Sequence, residues 1–166
     1  DKTYALDPFN MTWVDGGRYA ILGPSGCGKT TMLNIMSGIV QPSEGKLLFD
    51  GVDVTTLSTS ERNIAQVFQF PVIYGTMTVE QNLAFPLVCR NYERPAIDAK
   101  VQEVAEALSL QGLLKKSASR LTADQKQLIS LGRGLVRDDV AAVLMDEPLT
   151  VIDPDLTFRL RRPLKE

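Results

Sequence analysis

Histidine does not occur in this 166-residue chain. Mechanisms that need an imidazole base, a histidine metal ligand or a histidine pH switch therefore have no residue to use within it. Cysteine is scarce. Cys27 and Cys89 stand far apart, form no C-x-x-C pair, and give neither zinc spacing nor a disulfide framework. That usage suits a reducing cytoplasm. A basic excess is also lacking: 18 Lys and Arg face 20 Asp and Glu, for a net charge of -2. The balance argues against a general nucleic-acid binder. Long apolar runs are absent too. The best, Val140–Met145, falls far short of the roughly 20 residues that span a bilayer. Asp1–Tyr4 carries neither an initiator Met nor a signal-peptide pattern, so the chain is expected to be a piece of something longer. What remains is ordinary globular material, 44% hydrophobic and 23% charged, with no repeat or low-complexity tract. Its length suits one domain.

Strand and helix patterns alternate along the chain. Arg18–Leu22 is a short apolar strand candidate leading into a Gly-rich loop. Thr30–Ser37 has helical character, with Gly38 where a C-terminal cap belongs. Lys46–Val54 predicts a hairpin, because Asp50-Gly51 is a type I′ turn signal between β-formers. Ile64–Gln69 predicts another short strand. From Ile97 the apolar positions Val101, Val104, Ala105 and Leu108 recur at helical spacing. A further helix is expected over Ala123–Val136, and Val140–Met145 has the continuous apolar character of a buried strand. Strand, crossover and strand imply a parallel sheet with helices on its faces.

The sharpest motif is Gly23, Pro24, Ser25, Gly26, Cys27, Gly28, Lys29, Thr30, a full G-x-x-x-x-G-K-[ST] match. Glycines let the backbone curl around a phosphate with its N–H groups inward, and the following helix offers its N-terminal dipole to the same anion. Lys29 supplies a point charge to the β- and γ-phosphates, the Thr30 hydroxyl is placed to ligate Mg²⁺, and Thr31 completes the candidate set. Cys27 occupies a free position of the motif, where a small uncharged side chain suffices. Val140–Met145 then ends in Asp146-Glu147-Pro148. In a phosphate-loop protein, a carboxylate at the end of a buried strand suits Mg²⁺ held through its water shell. The adjoining Glu147 is placed to polarise an attacking water.

These motifs together resemble the ATP-binding subunit of an ABC transporter, over essentially the whole chain. The resemblance implies an α/β P-loop ATPase fold with a parallel core sheet, an antiparallel hairpin region and an inserted helical subdomain, C-terminally incomplete. It implies one partial domain over 1–166. Regions 1–70 and 138–166 would form the nucleotide-binding core, and 71–137 the Q-loop and helical subdomain. Val67-Phe68-Gln69 resembles the Q-loop, whose glutamine in the family touches Mg²⁺ and the attacking water. Pro71–Pro86, with Asn82-Leu83-Ala84-Phe85-Pro86, is similar to the segment that receives a permease coupling helix. Thr150–Asp153 matches the D-loop, in which Asp153 would contact a second ATPase subunit. The loop and the Asn82–Pro86 segment look most like carbohydrate-uptake ATPases. Leu121–Lys126 and Ile152–Pro154 look like the subunits of bacterial glycerol importers, which use two non-identical ATPases. The implied ligands are ATP and Mg²⁺, with Thr30, Gln69 and Asp146 as metal residues and Glu147 and Gln69 as catalytic ones. The implied partners are a second ATPase subunit, in a heterodimer by preference, and permease subunits docking around 69–86. The implied place is the cytoplasmic face of the bacterial inner membrane, without insertion and without nucleic acid.

The sequence departs from the family at its signature, L-S-G-G-Q in most members and Leu121-Thr122-Ala123-Asp124-Gln125 here. Thr122 keeps a hydroxyl and predicts a capping box with Gln125. Asp124 is the larger change. A carboxylate about 4 Å from a phosphate charge costs on the order of 4 kcal/mol at an effective dielectric near 20, whereas a lost neutral hydrogen bond costs only about 1 kcal/mol. An acid in a first helical turn also stabilises the helix dipole by about 0.3–1 kcal/mol. The family's switch histidine would lie beyond Asp153, where this chain has none. Tyr4 is the aromatic nearest the position at which the family stacks adenine. Lys126, Arg133 and Arg137 superficially suggest a DNA recognition helix. The neighbouring Asp124, Asp138 and Asp139 instead favour a solvated helix face, and Arg159–Lys165 is read the same way.

Overall fold

The computed structural model describes residues Tyr4–Leu149. The chain forms two compact units, Asp1–Ile64 and Ala65–Glu166.

In the first unit, helix α1 spans Lys29–Ser37, its ends set by glycines in left-handed conformation. Gly28 (φ 94°) is the N-cap, and Gly38 (φ 82°) closes the helix by donating its N–H to the Ile35 carbonyl. Met32, Leu33 and Met36 form its buried face, and Val54 is also buried. Strands β1 (Leu48–Phe49) and β2 (Val52–Asp53) make the expected antiparallel hairpin. Asp50 (φ 50°) and Gly51 (φ 80°) both take the positive φ that a type I′ turn demands. Arg62 is 2% exposed and fastens α1 from below. Its guanidinium donates to the carbonyls of Ile35 and Met36 at the helix C-terminus, and to those of Thr55 (2.7 Å) and Leu57 (3.0 Å).

The strand expected over Arg18–Leu22 does not form. These residues belong to no strand, and Leu22 is 90% exposed. Apolar character does not make a strand without a ladder partner, and the Tyr19 side chain turns back on the preceding residues instead. Gly17 donates to the Val14 carbonyl, Val14 donates to the Tyr19 hydroxyl, and Tyr19 stacks on Trp13 at 5.6 Å.

β3 (Ile64–Val67) opens the second unit from its second residue and is followed by α2 (Val79–Val88), α3 (Arg94–Ala107), 3-10 turns at Gln111–Leu113 and Ala118–Arg120, α4 (Ala123–Leu135) and β4 (Ala142–Met145). β3 and β4 pair in parallel across this helical crossover. The unit's core joins Val67 to Val79, Leu83 and Leu87 of α2, Val101 and Val104 of α3, and Leu128, Ile129 and Leu131 of α4. Each large aliphatic side chain so buried contributes about 1.5–3 kcal/mol of transfer free energy.

α4 is covered on every side, since Gln127 through Gly132 are all buried. A surface helix would show one apolar stripe. Glycine permits this closeness: a Cβ at Gly132 would lie 2.6 Å from Leu83 Cδ2, and one at Gly134 would lie 2.6 Å from Val67 Cγ2. The expectation of a solvated basic face on α4 is therefore corrected. Arg133 is half-buried over the Tyr74 ring (4.5 Å), and Arg137 is buried against Asp139. β4 is shorter and less covered than its apolar run implies. Leu144 is buried but Val143 is 37% exposed, since among the described residues the strand has one neighbour only.

Candidate functional site

Residues 23–27 are exposed and lead into α1 through a turn closed by Cys27 N–H on the Pro24 carbonyl (3.3 Å). At Gly28, a side chain would face both φ 94° and a contact of 3.0 Å with the Ala5 carbonyl, so the loop curls only because that Cβ is absent. No side chain caps α1, its first turn holds no acid, and its first backbone bond runs from Met32 N–H to the Gly28 carbonyl. The helix thus presents its N-terminal dipole with nothing of its own set against it. Lys29 Nζ bridges the loop, donating to the carbonyls of Gly23 (2.8 Å) and Pro24 (2.9 Å) and lying 3.8 Å from Cys27 Sγ. Thr30 is exposed and Thr31 half-buried in the first turn. Glycines, an ammonium and an open helix end fit a nucleotide's phosphates.

The other end of the chemistry lies in the second unit. Asp146 N–H extends the pairing of β4 with β3 by donating to the Val67 carbonyl (2.9 Å). The Asp146 side chain is buried, whereas Glu147 is exposed and holds a left-handed backbone (φ 45°). That conformation costs a non-glycine residue about 1–3 kcal/mol, and such strain gathers at functional sites. Gln69 is half-buried in the bend just after β3. Both segments meet Gln127 of α4, whose Nε2 donates to the carbonyls of Phe68 (3.1 Å) and Pro148 (3.0 Å). Thr30 in the first unit carries a hydroxyl, and Gln69 and Asp146 in the second carry an amide oxygen and a carboxylate; hard oxygen donors of these kinds suit Mg²⁺.

Residues 71–76 are pinned on two sides. Asn82 of α2 accepts from Tyr74 N–H (2.8 Å) and donates to the Tyr74 carbonyl (3.0 Å). Ser130 Oγ of α4 accepts from Val72 N–H (3.2 Å), and Arg133 donates to the Val72 carbonyl. Phe70 and Val72 remain exposed. At the start of α4, Thr122 and Gln125 form the expected capping box: Thr122 Oγ1 accepts from Gln125 N–H (3.3 Å), and Gln125 Oε1 accepts from Thr122 N–H (3.2 Å). Leu121 is buried, Ala123 is exposed, and Asp124 is half-buried in the first turn. Tyr4 donates its hydroxyl to Glu44 (3.1 Å). Asp153 and the rest of the D-loop match, like Arg159–Lys165, lie outside the described residues.

A family model for the ABC transporter matches residues 6–150. The chain belongs to the ABC transporter family. It is 41% identical over 161 residues to the trehalose import ATP-binding protein SugC of Mycobacterium tuberculosis, covering 97% of this chain and 41% of that protein. It is 37% identical over 165 residues to the sn-glycerol-3-phosphate import ATP-binding protein UgpC of Escherichia coli, covering 99% of this chain and 46% of that one. The chain therefore spans less than half the length of these curated relatives. Among solved structures it resembles the ATP-binding cassette MJ0796 in a dimeric post-hydrolysis state bound to ADP and Pi. The TM-score is 0.86 at 26% identity, over 98% of this chain and 74% of the other. A nucleotide-free cassette from an ABC transporter matches with TM-score 0.68, also at 26% identity, over 85% and 62% of the two chains. The fold is that of an ABC ATPase, as the motifs implied.

Two features escaped the sequence reading. α2 has a capping box at its start, Thr78 with Gln81, but Pro86 inside it argues against a helix. Gln127 has a fainter signal, a polar residue one turn before Leu131 on an otherwise apolar face.

Proposed function

We propose that this chain is the nucleotide-binding part of an ATPase subunit that powers solute import through an ABC transporter. The observation that carries the reading is the loop at residues 23–31, curled by Gly28 into an α1 that no side chain caps. In this reading the loop N–H groups and Lys29 hold the β- and γ-phosphates of ATP. Glu147 orients a water for attack on the γ-phosphorus, the bond to the β–γ bridging oxygen breaks, and ADP and phosphate leave. Mg²⁺, when bound, would neutralise charge on the phosphate oxygens, with Thr30, Gln69 and Asp146 as its residues. The relatives named for trehalose and sn-glycerol-3-phosphate import support a carbohydrate or polyol solute such as glycerol. The dimeric neighbour supports pairing with a second ATPase subunit, and the exposed Phe70 and Val72 support docking of permease subunits around 69–86. The relatives' names as import ATP-binding proteins support a place at the cytoplasmic face of a bacterial inner membrane.

The altered signature gives the subunit a weak grip on a nucleotide held by its partner. The capping box already occupies Gln125 N–H, and Asp124 sets a negative charge in the same turn. The test is MgATP turnover by the full-length protein with its copurifying subunits, wild type against Glu147→Gln. Wild-type turnover should exceed the variant's by about a hundredfold or more. Equal rates would end the hydrolytic reading. In the same assay, the double variant Ala123→Gly and Asp124→Gly should turn over faster than wild type, and an unchanged rate would refute the weak signature.

A further inference from the structure

We propose that Gln127 is a positioning residue that holds Gln69 and Glu147 in fixed relation and ties both to the N-terminal half of α4, just past its first turn. The inference rests on the ATPase reading above. β3 ends at Val67 and β4 at Met145, and Asp146 N–H carries their pairing one step further by donating to the Val67 carbonyl. The Gln127 amide takes over there. Its single nitrogen donates one hydrogen to Phe68, the residue before Gln69, and the other to Pro148, the residue after Glu147. The side chain is fully buried, and its Oε1 has no hydrogen-bond partner. The amide therefore acts purely as a double donor. Turned over, it would set its oxygen against two carbonyl oxygens, so only one orientation is stable. A buried acceptor left unmatched is unusual and marks a side chain kept for what its other end does.

Gln127 also stands two residues after Gln125, the end of the signature-like motif, on an α4 held tightly by Gly132 and Gly134. A shift of the start of α4 moves the donor on which both backbones depend. Contact made at residues 121–125 is thereby passed to Gln69 and Glu147 without either of them reaching α4.

The experiment uses the full-length protein with its copurifying subunits and compares wild type, Glu147→Gln, Gln127→Met and Gln127→Glu. Gln127→Met keeps the volume but no donor. It should lower kcat about tenfold or more while leaving KM for ATP within about threefold. Gln127→Glu faces two carbonyls with a carboxylate at pH 8. On acidification toward about pH 6 its protonated form donates one hydrogen bond, so its kcat should recover relative to wild type. A Gln127→Met enzyme with wild-type kcat overturns the proposal, as does a Gln127→Glu profile parallel to wild type. Collapse of the fold in both variants would do so too, by assigning Gln127 to stability alone. Wild type no faster than Glu147→Gln would instead defeat the ATPase reading itself, so the two failures are distinct.

Discussion

Arg62 shows how much of the phosphate-helix support depends on one side chain. The carbonyls at the end of an α-helix lack intrahelical partners, and here Ile35 and Met36 find one in a planar guanidinium that also takes Thr55 and Leu57. Arg62→Met should lower the unfolding free energy by about 3 kcal/mol in urea titration. Arg62→Lys should recover less than half of that, because an ammonium cannot reach four carbonyls in one plane. At this scale the sequence offers candidates where chemistry demands a fixed pattern, as in the loop from Gly23 to Thr30 and the pair Asp146-Glu147. It was mute where a residue acts through whatever packs against it. Nothing in the chain around Arg62 or Gln127 says which carbonyls fold over them.

Elements were legible in proportion to how locally they are determined. The hairpin followed from Asp50-Gly51 and α4 from its capping box, both decided within a few residues. Arg18–Leu22 failed as a strand because a strand is defined by its neighbour. α2 was not anticipated, and Pro86 inside it argues against a helix, yet its first turn is satisfied from elsewhere: Val79 and Glu80 donate to the carbonyls of Lys116 and Leu114, both at 3.0 Å. The turn after α4 ties the ends of α2 and α4 to the middle of α3. Arg137 and Arg90, following α4 and α2, both meet Asp139, and Lys100 of α3 meets Asp138 at 2.6 Å. Hydrogen bonds from Arg137 hold the Asp139 carboxyl below the usual carboxylate range, outweighing its partial burial. With its folded pKa lowered, Asp139 stabilises the fold fully above the unfolded value of about 3.9, and the gain is lost as pH falls through the folded value. Asp139→Asn should therefore cost roughly 1 kcal/mol at pH 7, screened as it is by solvent, and that cost should shrink as pH falls below the unfolded value and vanish below the folded one. Thermal melts of both proteins across that range check it.

At the scale of the whole chain, motif order made the family legible, while the division between the units was not. It falls between Ile64 and Ala65, inside β3, where no proline, glycine or charge marks a boundary. The units differ in how deeply they are built. Tyr4–Leu22 holds no helix or strand and is mostly exposed, whereas α4 is covered all round. Amide hydrogen exchange should therefore show Leu128–Gly132 among the slowest positions and Tyr4–Leu22 among the fastest. Uniform exchange along the chain would contradict this. Arg62 adds a consequence of another kind. Its partners among the described residues are neutral carbonyls, so no acid can protonate them, and at 2% exposure little dissolved salt can reach the charge. The helix ends of the second unit depend partly on carboxylates that brine screens and acid neutralises. Buffer composition thus loosens fastenings in one unit while the clamp beneath the phosphate helix in the other stays indifferent to it.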